Sequence, residues 1–171
     1  MKTKSKIIIS VIVVIALIAG GFTYLNYSNS NTGKVNVYVE DAPILNVSAV
    51  YITFTNVSLH NTSSGWHTYT LKTTTVNILD LTTTNASLLS SFSINAGNYT
   101  MIRLYLTSIH VIIGGVNVSF NLASPDAFIN HPFTVKAHST TGLDIEFNVS
   151  QDLNINSRIF TPSIGVVVSP S

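Results

Sequence analysis

The sequence predicts an all-β protein: an antiparallel β-sandwich of immunoglobulin- or transthyretin-like type, with about 9–10 strands, preceded by one N-terminal transmembrane helix. Three observations carry this prediction. Apolar residues recur with period two along most of the chain after Gly33, the mark of half-buried strands. Turn residues separate these runs at short intervals, and no strongly amphipathic helix interrupts them. The first 25 residues instead hold an apolar run behind three lysines.

That run is IIISVIVVIALIA, residues 7–19, with Ser10 its one polar residue. Extended to Leu25 it covers 19 residues, enough for a helix to cross a bilayer core of about 30 Å. Lys2, Lys4 and Lys6 precede it and the next basic residue is Lys34, which places the N-terminus in the cytoplasm. Residues 1–25 are therefore read as a signal-anchor or as a cleaved signal peptide, with Ala19-Gly20-Gly21 as the cleavage site. The bilayer is the expected partner of residues 7–25. The body is then extracellular on a single-pass anchor, or secreted if cleaved near Gly21. Residues 26–33, NYSNSNTG, read as a polar stalk. Residues 34–171 form the expected sandwich domain.

Within it, Lys34–Glu40 puts Val35, Val37 and Val39 on one face. The stretch Val47–His60 changes phase: Val50, Ile52 and Phe54 share one side, Val57 and Leu59 the other. One extra residue near Thr55-Asn56, a β-bulge, brings all five to the core. A hairpin follows, with Asn61–Gly65 as its loop. Strands are expected at Trp66–Leu71 and Val76–Leu79, then a helical turn over Asn85–Phe92 capped by Asn85. Tyr99–Leu106 suits a central strand. Ile109–Ile113 and Val116–Asn121 are joined by a Gly114-Gly115 turn. Phe133–Ala137, Leu143–Ser150 and Arg158–Val168 complete the set, and Leu143–Ser150 alternates without error.

Composition excludes several functions. Charged residues make up 9%, against roughly 25% in typical soluble domains. From Phe22 onward five basic residues face seven acidic ones, too few and too scattered for a nucleic-acid surface. The lack of cysteine excludes disulfides, thiolate metal sites, a cysteine nucleophile and a lipid-anchored cysteine. In place of charge stand 41 Ser and Thr and 17 Asn. Such a surface has few groups to protonate, which suits an archaeon living in hot acid.

The segments follow an order that resembles the domain-of-unknown-function 4382 family. The motifs are GKVNVYVEDAP (Gly33–Pro43), Gly65-Trp66, NILDL (Asn77–Leu81), Ala96-Gly97-Asn98-Tyr99 with Arg103, Leu143-Asp144, and Phe160-Thr161-Pro162. The resemblance covers residues 33 to about 168. It implies an exported, often membrane-attached β-sandwich and assigns no activity. A helix here stands where bacterial relatives often carry a lipobox cysteine.

The strongest chemical signal is the glycosylation sequon Asn-x-Ser/Thr. It occurs at Asn26 in the stalk and at Asn46, Asn56, Asn61, Asn85, Asn98, Asn117 and Asn148 in the body. These eight are about twice what composition alone predicts. Asn117 and Asn148 fall on outward strand positions, Asn61 and Asn85 in loops. His60 and His67 flank the hairpin loop and could face each other, but no third metal ligand is suitably spaced. Asp41, Asp80, Asp126, Asp144, Asp152, Glu40 and Glu146 form no Asp-x-Asp-x-Asp loop. No G-x-S-x-G elbow is present. Neither a cofactor nor a metal nor catalysis is therefore expected. The loop Ala123–Pro132, with Phe128 exposed, is the expected contact surface, and Trp66 is expected in the core.

These readings converge on a non-enzymatic cell-surface domain with a structural or adhesive role. Its expected partner is an envelope protein or a surface glycan. A filament subunit assembled by donor-strand exchange and a carbohydrate- or ion-binding module are the alternatives. The last of these requires an exposed Tyr or Trp, or clustered acids.

Overall fold

A computed structural model describes residues 31–40, 47–72, 75–81 and 86–170. The expected membrane helix, the stalk up to residue 30, and Asn26, Asn46 and Asn85 lie outside them. No helix among the described residues is long and apolar enough to cross a membrane.

The domain is two β-sheets with the core between them. The smaller sheet has the order β12-β9-β1-β5, from Ile164–Pro170, Thr140–Phe147, Thr32–Glu40 and Ser87–Asn95. The larger has eight strands. Its path is β10 (Leu153–Asn154), β11 (Ile159–Phe160), β7 (Val116–Leu122), β6 (Gly97–Ile113), β2 (Val47–Asn61) and β3 (Gly65–Thr70). Strand β4 (Thr75–Asn77) pairs with β2 and β8 (Asp126–Val135) with β6. A 3₁₀ turn at Ile78–Asp80 and a helical turn at Val149–Asp152 are the only helical pieces described.

The long strand β2 behaves as its pattern dictates. Its register against β6 slips between Phe54 and Val57, and Val50, Ile52, Phe54, Val57 and Leu59 are all fully buried. A second bulge lies opposite. Thr53 pairs with Ser108 and Phe54 with Leu106, which leaves Thr107 unopposed. The phase change between Leu106 and Ile109 is thus a bulge within one 17-residue strand, not a break between two. From the other sheet, Val35, Val37, Val39, Leu143 and Ile145 fill the facing layer, all fully buried. Each such side chain contributes about 1.5–3 kcal/mol by leaving water. Rings join the sheets at Phe54–Phe147 (5.8 Å) and at Tyr69–Phe92, stacked at 4.3 Å.

Four further expectations need correction. The sandwich is mixed, because β1 runs parallel to β9 and β7 parallel to β11. The parallel pair forms where the chain crosses from β8 to β9 in four residues, with Ser139 accepting the Lys34 N–H at 2.7 Å. A Cβ at Gly33 would collide there with the Lys136 carbonyl oxygen and the Val135 side chain. Second, the described residues form twelve strands: β5 and β10 are unexpected and one expected segment becomes both β11 and β12, while two expected strands merge into β6. The segment Arg158–Val168 is split, with Thr161–Ser163, and so Pro162, between β11 and β12.

Third, residues 87–95 are strand, not a helical turn. The register of β1 slips between Val37 and Tyr38, leaving Leu89 as an extra residue in β5. The bulge sets Leu89 and Phe92 three apart, a spacing that mimics a helix. Fourth, Ala123–Pro132 is mostly strand: only the residues before Asp126 are irregular. Pro132, which has no N–H, is tolerated because β8 bulges there, with Tyr99 opposite Phe133 and Met101 opposite Asn130. The Gly114-Gly115 turn is as expected, both glycines having positive φ (56° and 82°), the hairpin-turn conformation.

Candidate functional site

The bulge in β2 decides what the outer face of the larger sheet displays. With Val57 and Leu59 turned inward, Ser58 and His60 must point outward. Gly65, at φ 80°, closes the hairpin and pairs with Asn61, so Trp66 comes opposite His60 and shares its face. On β6, burial of Ile102 and Leu104 turns Arg103 outward, opposite Ser58 on one side and Phe128 on the other. Four strands therefore send Trp66, His60, Arg103 and Phe128 to one patch.

The side chains converge there. The Arg103 guanidinium carbon lies 4.9 Å from the Trp66 ring centre and 5.6 Å from that of Phe128, within cation–π range of both. The two rings are 6.4 Å apart and inclined at 54°, although strands β2 and β6 separate their backbones. Each thus leans toward the other over Arg103. His60 meets Trp66 edge-on at 5.2 Å, and its Nδ1 is 3.1 Å from the Thr100 hydroxyl. Beneath the rings Ser58 is buried, bonded to the Thr68 hydroxyl at 2.6 Å. Trp66 nevertheless stays 41% exposed and Phe128 43% exposed.

Arg103 Nε lies 3.0 Å from Asp126 Oδ2, an ion pair. The Nε–H does not aim at that oxygen, so the contact is Coulombic rather than a hydrogen bond. Ser124 braces the acid: its hydroxyl donates to the Asp126 carbonyl at 2.9 Å, with Oδ1 also within 3.2 Å, and accepts the Asp126 N–H at 3.3 Å. The patch therefore combines two aromatic faces, a fork of N–H donors and a carboxylate acceptor.

Other expected residues are dispersed. Trp66 is on the surface, not in the core. His60 and His67 do not face each other: His67 pairs with Leu59, on the opposite face, and its Nε2 lies 2.7 Å from the Ser64 hydroxyl. Among the described residues no group of three or more His, Asp or Glu is arranged to hold a metal. Asp144 and Glu146 belong to the smaller sheet, where Ser169 donates to Asp144 at 3.2 Å. Asp152 is buried and receives the Ser163 N–H (3.1 Å) and the Ser163 hydroxyl. Burial raises its pKa above the ordinary carboxylate value, and the Ser163 bonds only partly oppose this.

The sequons differ in setting. Asn98, Asn117 and Asn148 are exposed, and Asn56 is half-buried at the β2 bulge. The Oδ1 of Asn98 accepts the Thr134 hydroxyl at 2.9 Å, and that of Asn148 the Ser150 hydroxyl at 2.7 Å. Asn61 is 6% exposed rather than free in a loop. Its Oδ1 accepts the N–H groups of Ser63 (2.9 Å) and Ser64 (3.1 Å), so the side chain builds the hairpin turn.

Fold and face together define the class: a two-sheet, all-β domain with an aromatic–cation cluster on its larger sheet. The chain belongs to the family described as Domain of unknown function (DUF4382), which it matches over residues 32–162. Comparison with curated proteins and with solved structures returns no match.

Proposed function

We propose that this is a non-enzymatic adhesion domain of the cell surface, anchored or exported by residues 1–25 and making contact through the Trp66–Arg103–Phe128 face. The observation that carries the reading is the convergence of two solvent-exposed aromatic rings on one ion-paired arginine. Burial normally claims tryptophan and phenylalanine, and exposed aromatics grouped with arginine are the composition of recognition surfaces. The lysine-flanked apolar run supports export, and the exposed Asn98, Asn117 and Asn148 support glycosylation outside the cell.

Cells displaying the full chain test this directly. They should retain envelope fragments, and Trp66→Ala or Phe128→Ala should abolish retention while surface antibody staining stays constant. Unchanged retention in both variants would refute the reading. The glycans are tested by mass. Asn117→Gln and Asn148→Gln should each lower the mass of the native protein, and a native mass equal to the bare polypeptide would remove them from the proposal.

A further inference from the structure

We infer that the Trp66–Arg103–Phe128 face is a binding site for a neutral pyranose unit of a glycan. The inference rests on the adhesion reading above and names the ligand. A pyranose has an apolar face of C–H groups and a rim of hydroxyls. The C–H face suits the electron-rich face of an aromatic ring, and the hydroxyl rim needs donors and acceptors side by side. Both are present. The indole has Arg103 at 4.9 Å, and its remaining exposure, 41%, is surface on which a sugar can stack. The Phe128 ring, inclined at 54° to it on the other side of the guanidinium, adds a second exposed aromatic surface. Arg103 supplies planar N–H donors and Asp126, beside it, supplies acceptor oxygens, the pair that two adjacent hydroxyls require.

Charge selects the neutral sugar. Arg103 and Asp126 cancel at 3.0 Å, so neither an anionic nor a cationic ligand gains net attraction. A nucleic acid needs a track of cations, and this face offers one arginine. A protein partner of ordinary affinity would cover about 800 Å² on each side and anchor on several apolar residues. Around the aromatics the same face continues as Thr70 and Asn130, a hydroxyl and an amide suited to a sugar rim, with Met101 and Tyr105 beside them and the Thr68 hydroxyl held by Ser58. The site is also preorganised. His60, aligned with Thr100, supports the indole edge, and Ser124 fixes Asp126, so little ordering remains to be done on binding.

Trp66 is the chain's single tryptophan, which makes its fluorescence a reporter of this site alone. Full-length protein in lipid nanodiscs should show a saturable emission change with uncharged hexose oligosaccharides. Uronic-acid oligosaccharides of the same length should give a change at least about tenfold weaker in affinity. Phe128→Ala, which keeps the reporter, should weaken neutral-sugar binding about tenfold or more, while Phe128→Tyr should retain it. Arg103→Lys should weaken it too, since an ammonium lacks the planar fork. Thermal unfolding followed by circular dichroism checks that each variant is folded. If no neutral oligosaccharide changes the emission, or if uronic acids bind more tightly, the inference falls. The two readings fail separately. Retention of envelope fragments that depends on Trp66 but is not competed by neutral sugars keeps adhesion and removes the pyranose. Sugar binding without Trp66-dependent retention does the reverse.

Discussion

The two outer faces of the sandwich are built by the same alternation and carry different chemistry. Across the smaller sheet, Val167, Asp144, Tyr38 and Leu88 lie in one row on four neighbouring strands. Val167 is 51% exposed and Leu88 44%, more than Trp66 or Phe128. Yet these two sit at opposite ends of the row, with a carboxylate and a tyrosine between them. On the larger sheet the rings are also rooted on outer strands, but they are long enough to lean inward and meet over Arg103. Exposure of apolar area therefore does not distinguish a site from ordinary surface; convergence around a polar pair does.

The largest test of this comparison puts the second face out of phase. The extra residue near Asn56 is absorbed by the bulge, so deleting Ser58, just beyond it, leaves the bulge in place and shifts the phase of Leu59–Asn61. Leu59 would then face solvent, and His60 the core. The loss should be about 3–6 kcal/mol, a large part of a typical domain's stability. Urea unfolding should show it, and a deletion variant as stable as the parent would mean that the face does not depend on the phase of β2.

Gly33→Ala should come next. Its Cβ would meet the Lys136 carbonyl and the Val135 side chain at the β8–β9 crossover, on the smaller sheet. A loss of about 1–3 kcal/mol is expected, read as a lower urea midpoint with an unchanged slope. The binding face, remote from Gly33 in register, should keep its Trp66 emission.

Smaller in stability but decisive for function is the exchange of faces. Trp66→Ala and Phe128→Ala should cost about 1 kcal/mol or less each, being exposed, yet lose retention of envelope fragments. Leu88→Ala and Val167→Ala should be similarly mild and leave retention unchanged. Equal loss from both pairs would erase the distinction between the faces.

The smallest effect concerns pH. Asp152 has a raised pKa in the fold, so the folded state holds its proton more tightly than the unfolded chain. Its favourable contribution is complete below the unfolded carboxylate value, near 3.8, and is lost as pH rises through the higher folded pKa. Asp152→Asn cannot titrate there. The variant should therefore gain on the parent in urea midpoint as pH rises from about 4 to 7. A constant gap over that range would show that Asp152 titrates alike in both states.

Much of the fold was legible in the chain because a half-buried strand writes its burial into alternate residues. Val35, Val37 and Val39, the β2 bulge and the Gly114-Gly115 turn all follow from local pattern alone; the alternation of Leu143–Ser150 holds as strand only to Phe147, since Asn148 precedes the helical turn Val149–Asp152. The position of Trp66 was legible in principle. Leu59 turned inward and an Asn61–Gly65 loop together place Trp66 opposite an outward His60; only the habit of burying a lone tryptophan concealed it. Other features left no local trace. The β5 bulge disguised a strand as a helical turn, because an unopposed residue is defined by its partner strand. The parallel pairing of β1 with β9 joins segments about a hundred residues apart, and no short-range pattern encodes the direction of a distant neighbour. The candidate site belongs to that second kind. Phe128 stood out in the sequence as an exposed residue of Ala123–Pro132, but nothing local joined it to Arg103, Trp66 or Asp126; the four form a site only because register across four strands sets them on one face and lets the two rings close over one guanidinium.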